Sequence, residues 1–288
     1  MIDILPQCIK KQRPASPKMA VLVRVKNEMI MLPEFWRRIA RQTIYPDLEI
    51  IFLDSGSTDG TLEFLANLPV TLYKIASRDF RFGSSCNLIA SLSVAPMLVF
   101  LSGHVLIEQK DTLEKILNIL VKNPYSAGYL RQIPNKLIGA TAYERAYLAK
   151  RFPPRSVAIV TQKVPAGFSN AASAFTRASW DRNRFPDVDA SEDYIWAKKH
   201  LALGGKLLYL PGARVMHSHR ESAEAVYSRV RLNVRSRGIS GSKLQATFYF
   251  LGVLLSLLLQ GASWGEARRF AAAHARAYLP ERRTVSQS

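Results

Sequence analysis

The sequence predicts an α/β fold with a mixed, mainly parallel sheet flanked by helices and a helical amphipathic C-terminal extension. Three observations predict it. Apolar runs of strand length alternate with segments of helical period, so that strand, helix and strand follow one another from Met19 onward. Each strand-like run ends abruptly in polar residues, as strands do when they empty into the ligand-facing edge of an open sheet. The chain has 288 residues and is 48% hydrophobic, enough for one full core and an appendage.

Residues 1–18 are rich in lysine, arginine and proline and lack the apolar core and small-residue cleavage site of a secretory signal, so a flexible lead-in is expected there. The first strand is Met19 to Val25, and Lys26, Asn27 and Glu28 form its polar ending. A helix is expected from Leu32 to Gln42, with Leu32, Phe35, Trp36 and Ile39 on one face, broken by Tyr45-Pro46. The second strand, Ile50 to Leu53, runs into DSGSTDGT, Asp54 to Thr61. Two carboxylates among serines and glycines suit the donor groups of a ribose and a base edge better than they suit phosphate. The same residues also fit a plain turn in which Asp59 caps the next helix and Asp54 closes the loop.

Further along, the expected elements are a helix near Thr61 to Asn67, a strand at Val70 to Ile75, and a loop from Ser77 to Ser84. A small-residue helix opened by Asn87 follows, then the strand Met97 to Leu101 with its tip Ser102, Gly103 and His104. Thr112 to Val121 has the helical period. Between Ala127 and Gln162 the pattern supports only a strand at Gly128 to Arg131 and a helix near Tyr143 to Lys150. Ser191 is expected to cap a helix running to Leu203, with Glu192 and Asp193 in its first turn. The strands Leu207 to Leu210 and Ala213 to Met216 lead to His217, Ser218 and His219. Since strand side chains alternate, only one of the two histidines, His219, is expected to reach the site.

Charge is distributed unevenly. The net charge is +18, carried mostly by the two ends, whereas residues 46–205 are nearly balanced. Basic ends around a balanced body fit a protein that approaches an anionic surface, membrane lipid or nucleic acid. Cys8 and Cys86 have no metal or disulfide spacing, which agrees with a reducing compartment. After the arginine-bearing helix expected at Glu221 to Arg237, Gln245 to Leu259 is almost wholly apolar. It is short of the ~20 residues a span requires, so it is expected to lie in a membrane surface, on the body, or on a second subunit.

In order, VRVKNE (Val23 to Glu28), DSGSTDGT, FRFGSSCN (Phe80 to Asn87), FLSGH (Phe100 to His104), FSNAASAF (Phe168 to Phe175), SEDYIWAKK (Ser191 to Lys199) and HSH (His217 to His219) resemble the motifs of the family 2 inverting glycosyltransferases of GT-A fold. The resemblance is strongest to the bacterial branch of rhamnosyl and polysaccharide-building enzymes, and it spans roughly Ala20 to His219. It implies a Rossmann-like GT-A domain over residues 19–219 and a basic, partly apolar helical tail over 220–288. It also implies transfer of a hexose or deoxyhexose from a nucleotide sugar to a glycan or lipid-linked glycan. The location implied is the cytoplasmic face of a bacterial membrane, as a peripheral protein, with the tail as a lipid or dimer contact. By the same resemblance Glu28, Asp54 and Asp59 are expected at the donor nucleoside, with Phe82, Gly83 and Asn87 closing over ribose and diphosphate and Ser102 and His104 at the fourth strand tip. Asp193, paired with Glu192, is expected as the general base, kept ionised by helix N–H groups. Arg131, Gln132 and Asn170 are expected at the acceptor or sugar pocket, and Arg229 and His219 at the diphosphate.

At the fourth tip the chain departs from the family. Most relatives carry paired aspartates there for a divalent metal, whereas this chain has Ser-Gly-His, a tip shared with a related subset. Hard Mg²⁺ prefers carboxylate oxygens, and Mn²⁺ accepts imidazole more readily, so His104 with His217 or His219, His219 being favoured, are the candidate ligands. A metal-free neutralisation of the diphosphate is the other option. Two further classes compete with the transferase. A nucleotidyltransferase lacks its glycine-rich, lysine-bearing phosphate loop here, and a basic nucleic-acid-binding module leaves the strand-tip carboxylates without a purpose. No nucleic-acid partner is expected.

Overall fold

A computed structural model describes residues 5–280 of the chain. In chain order the elements are β1 (Gln7–Lys10), β2 (Met19–Val25), α1 (Leu32–Ile39), β3 (Leu48–Asp54), α2 (Thr61–Ala66), β4 (Thr71–Lys74) and α3 (Phe82–Ser91). Then come β5 (Met97–Ser102), β6 (Leu106–Ile107), α4 (Thr112–Val121), β7 (Ser126–Ile133), α5 (Ala142–Arg151), β8 (Ala158–Val160) and β9 (Ala172–Thr176). The chain continues through α6 (Arg177–Arg182), α7 (Glu192–Ala202), β10 (Lys206–Met216), α8 (Ala223–Ser236), α9 (Lys243–Leu258) and α10 (Trp264–Arg276).

All ten strands form one sheet, ordered β1-β4-β3-β2-β5-β9-β7-β10-β6, with β8 also on β10. The long registers are parallel, β2 with β3 and β5, β3 with β4, and β7 with β10. β9 lies antiparallel to both of its neighbours, β5 and β7. Because β9 reverses direction twice over, β7 and β10 run the same way as β2, β3 and β5. The carboxyl ends of all five strands therefore share one edge with the amino end of β9.

Period-two alternation sorts the buried strand residues onto two faces. Met19, Val21, Val23 and Val25 of β2 join Ile50 and Phe52 of β3 and the apolar sides of α1 and α4. Ala20 and Leu22 join Ile51, Leu53 and the second core, which contains Phe100, Phe168, Phe175, Phe185 and Trp196. Trp196 is fully buried, stacks on Phe168 with centroids 5.9 Å apart, meets Phe175 edge-on at 4.7 Å, and donates from its indole nitrogen to the Asn183 carbonyl. A third cluster packs α8, α9 and α10 together and onto Tyr143 of α5.

Several expectations are corrected. Within the stretch expected to be a flexible lead-in, Gln7–Lys10 pairs with β4, and the Gln12 amide bonds Thr71. Asn87 does not open α3; the helix begins five residues earlier, at Phe82, and Asn87 lies inside it. The two strands expected after Leu207 are one, β10, which carries Pro211 through an irregularity between Leu210 and Arg214. Ser191 precedes α7 but does not cap it: its backbone is left-handed at φ 61° and its hydroxyl donates to Asn233 of α8. That left-handed turn is held by tertiary contacts rather than by local propensity.

Trp196→Ala is expected to cost about 3–5 kcal/mol of stability through the cavity it leaves, measured by urea unfolding with an unchanged m-value.

Candidate active site

The shared edge brings together residues far apart in sequence. The tip of β5 supplies Ser102, Gly103 and His104, the end of β7 supplies Gln132, the end of β10 supplies His217 and His219, and the approach to β9 supplies Asn170. A cavity of about 340 Å³ opens against this edge and is lined as well by α5, the start of α7 and α8.

The loop after β3 organises the loop after β2. Asn27, at φ 56°, accepts from the Thr58 amide, and its own amide donates to Ser57. The Glu28 amide donates to Thr61 Oγ1 and the Met29 amide to Asp59 Oδ2. Asp59 also takes the Thr61 amide, so it supports the loop as expected. Asp54 is fully buried; Oδ1 accepts from the Gly56 and Ser57 amides, while Oδ2 has no hydrogen-bond partner. The carboxylate thus closes its own turn and presents no surface of its own.

Glu28, carried on that stitched loop, binds His104: Oε1 lies 2.8 Å from Nδ1. Gly103 makes the approach feasible, because a Cβ there would lie 2.9 Å from Glu28 Cγ. His104 Nε2 is 3.3 Å from His217 Nε2, which is in turn 2.8 Å from His219 Nε2. The expectation that only one of the last two histidines reaches the site is corrected. β10 ends at Met216, so strand alternation no longer governs 217–219, and both rings turn inward. His217 Nδ1 is held by Gln132 Oε1 at 2.7 Å, and the His219 amide donates to Glu144 Oε1 of α5. Burial first, and then the neighbouring His104 ring, hold His217 well below the ordinary imidazole pKa and lower His219 as well, which keeps both neutral at pH 7.

Glu192 and Asp193, which also line the cavity, open α7. The Asn170 side chain donates to Glu192 Oε1 at 3.3 Å, and its amide donates to Asp193 Oδ2 at 3.3 Å. The Tyr194 amide donates to Asp193 Oδ1. An Asp193 kept ionised by backbone donors was the expectation. Burial and then the Glu192 charge outweigh those donors, and the pKa is raised to about 7. This is the range in which a carboxylate works well as a base at neutral pH.

Other expected site residues lie elsewhere. Asn87 accepts the Phe185 amide and the Trp180 indole N–H and donates to the Phe185 carbonyl, so it fastens the 183–186 loop to α3. Gly83 packs under the same loop, where a Cβ would meet the Pro186 carbonyl. Arg131 points to the opposite face of β7 from Gln132 and donates to the Phe152 carbonyl. Arg229 does line the cavity, but its guanidinium is clasped on two sides by Glu221 at 2.7 Å. Burial opposes that charge, and the Glu221 carboxylate more than offsets it, so the pKa is raised. Phe82 and Ser102 line the cavity.

The sequence reading passed over Arg24, whose guanidinium donates to the Phe82 carbonyl and lies 5.9 Å from the Phe80 and Phe82 rings. An arginine inside the apolar run Met19 to Val25 was the available signal. Also passed over were Tyr147 and Glu144 of α5 and Asn233 and Arg237 of α8, all cavity-lining. The pair Thr141 and Glu144 is a capping box visible in the sequence and formed in the structure.

Residues 20–181 match the family model described as glycosyl transferase family 2. The chain is 28% identical over 224 residues to the O-antigen chain rhamnosyltransferase RfbN of Salmonella typhimurium, covering 74% of this chain and 70% of that one. It is 26% identical to the O-antigen chain rhamnosyltransferase WbaN of Salmonella anatum, covering 68% and 64% respectively. Among solved structures it is similar to S. aureus TarS 1-349 in complex with UDP, with a TM-score of 0.58, 15% identity, and 91% and 90% of the two chains covered. It is also similar to the mannosyltransferase PcManGT from Pyrobaculum calidifontis in complex with GDP-Man and Mn²⁺, with a TM-score of 0.57, 18% identity, and 94% and 73% covered. The structural likenesses show the GT-A fold, and the family match, which takes in more than half of the chain, shows the rest: this protein belongs to glycosyl transferase family 2 and is a glycosyltransferase.

Proposed function

We propose that the protein transfers a sugar from a nucleoside diphosphate to a hydroxyl of a growing cell-surface glycan in a single inverting displacement, with Asp193 as the base. The observation that carries this reading is the Glu192-Asp193 pair, anchored on Asn170 and lining the same cavity as His217 and His219, with Asp193 raised in proton affinity. An in-line displacement needs its base on the side opposite the leaving group, and Asp193 and the histidines supply the two roles within one cavity. Asp193 takes the acceptor proton while the diphosphate departs toward the histidine edge. The Glu28, Asp54 and Asp59 loops form the nucleoside end, with the buried Asp54 carboxylate holding the turn that shapes it.

Two relatives named as O-antigen chain rhamnosyltransferases support a deoxyhexose donor and a polysaccharide acceptor. The neighbour solved with Mn²⁺ supports a divalent cation at the leaving group. The imidazoles of His104, His217 and His219 are the residues that would hold it, and the ion would supply positive charge against the developing diphosphate.

The tail supports work at a lipid surface. No helix among the described residues is long and apolar enough to cross a membrane. On α9, however, Leu244, Phe248, Leu251, Leu255 and Leu259 recur at helical spacing and are all more than half exposed. Exposed Trp264, Arg268 and Arg269 sit beside them at the start of α10, as in helices that lie in an anionic interface. A second copy of the chain is the other cover this stripe would accept. The nucleic-acid alternative is not favoured, since four arginines of the tail are engaged internally: Arg229 with Glu221, Arg231 with the Ala277 carbonyl, Arg237 with Ser191 and Arg276 with Glu224.

Asp193→Asn is expected to lower kcat by at least ~100-fold, the lower range for a lost general base, while thermal stabilisation by a nucleoside diphosphate persists; near wild-type turnover would remove Asp193 from the role. The active form of this base is the ionised one, and its pKa is raised. Activity is therefore expected to fall as pH drops through about 7 and to level off above it. Glu192→Gln removes a cause of that shift, so the acidic limb of kcat/KM is expected to move to lower pH.

A further inference from the structure

The three histidines differ from an ordinary polar cluster in how their nitrogens are set. Glu28 Oε1 and Gln132 Oε1 are acceptors, so the ring atoms they hold, Nδ1 of His104 and Nδ1 of His217, carry the protons. The Nε2 atoms of both rings are then bare lone pairs, and they face each other at 3.3 Å with His219 Nε2 only 2.8 Å from the second. Two unprotonated nitrogens cannot hydrogen-bond each other. Around a shared cation their approach becomes favourable. Ligands of a tetrahedral ion at ~2.0–2.1 Å stand roughly 3.4 Å apart, close to the 3.3 Å between His104 and His217, and a small outward turn of the His219 ring from 2.8 Å would bring it to the same spacing. The ligand atoms of all three rings lie within 4.8 Å of one another.

We propose that His104, His217 and His219 form a neutral three-nitrogen site for a borderline transition-metal ion of the zinc or cobalt kind, with Glu28 and Gln132 as positioning residues that fix the two ring tautomers. The donor set decides the class of ion. With no carboxylate among the three ligands the site is poor for magnesium, which demands oxygen, whereas imidazole suits the later first-row ions. Three protein ligands also leave coordination positions open toward the cavity that His217 and His219 line. Glu28 and Gln132 take the part of the outer-shell acceptors that orient metal-bound imidazoles. Gln132 is buried at the end of β7, and Gly103 keeps the space through which Glu28 reaches His104. The inference deepens the transferase reading, on which only the site's assignment to the leaving diphosphate rests.

The test uses the full chain, stripped with EDTA and titrated with Co²⁺ alone. A ligand-field absorption band saturating at one equivalent, displaced by Zn²⁺ and untouched by a thousandfold excess of Mg²⁺, is the expected result. His104→Ala and His217→Ala should each abolish the band while circular dichroism and the thermal transition stay those of the folded chain. Glu28→Ala and Gln132→Ala should keep the band but weaken Co²⁺ about 10- to 100-fold, the usual cost of losing an outer-shell partner. The absence of a band in the wild type, a band retained in His217→Ala, or displacement by Mg²⁺ would overturn the proposal. Unchanged Co²⁺ affinity in both Glu28→Ala and Gln132→Ala would overturn the positioning roles. The two readings fail separately: a band in a chain that transfers no sugar from any donor leaves the site standing and removes the transferase assignment. Full transfer in EDTA with no band does the reverse.

Discussion

The antiparallel insertion of β9 between β5 and β7 is the pairing on which the site depends. Without it the sheet would be two parallel blocks with no common edge. With it, Ser102 to His104, Gln132, Asn170 and the His217 to His219 segment arrive on one side of the molecule. Ligand crevices in open α/β sheets form where strand ends converge and loops diverge. Here that convergence also delivers Asn170, which sits just before β9 and holds both members of the acidic pair.

A second dependency runs through the loops. Ser57, Thr58, Asp59 and Thr61 fasten the segment Asn27 to Met29, and that segment positions Glu28 against His104. A change in the β3 loop is therefore felt at the β5 tip, across β2, without touching either histidine. The buried Asp54 belongs to the same frame. Its burial follows from closing a turn whose next residues are committed to the neighbouring loop.

The C-terminal helices are part of the cleft and not an appendage to it. Asn233 and Arg237 hold Ser191 in its left-handed turn, and that turn aims Glu192 and Asp193 at the cavity. Arg229 lines the cavity with two of its five N–H donors held by the Glu221 carboxylate. Much of the basic excess in this region stabilises packing in this way. α9 alone keeps a long apolar stripe uncovered.

How far the sequence could be read depended on the range of the interactions. Element order and the strand-tip motifs were legible because alternation, helical period and polar endings are local patterns. Asn87 and Arg131 were misplaced because their partners, Phe185 and the Phe152 carbonyl, are 98 and 21 residues away. His217 was set aside by a strand rule that stopped applying one residue earlier, at Met216. The proton affinity of Asp193 was misjudged for a related reason: helix-end donors are local, whereas burial and the Glu192 charge act through the closed cleft. By itself the sequence determined which chemistry-bearing residues end each strand. Only the tertiary structure decided which of them meet, because strand order, the reversal at β9 and the closure by α8 are set by packing between segments that share no local signal.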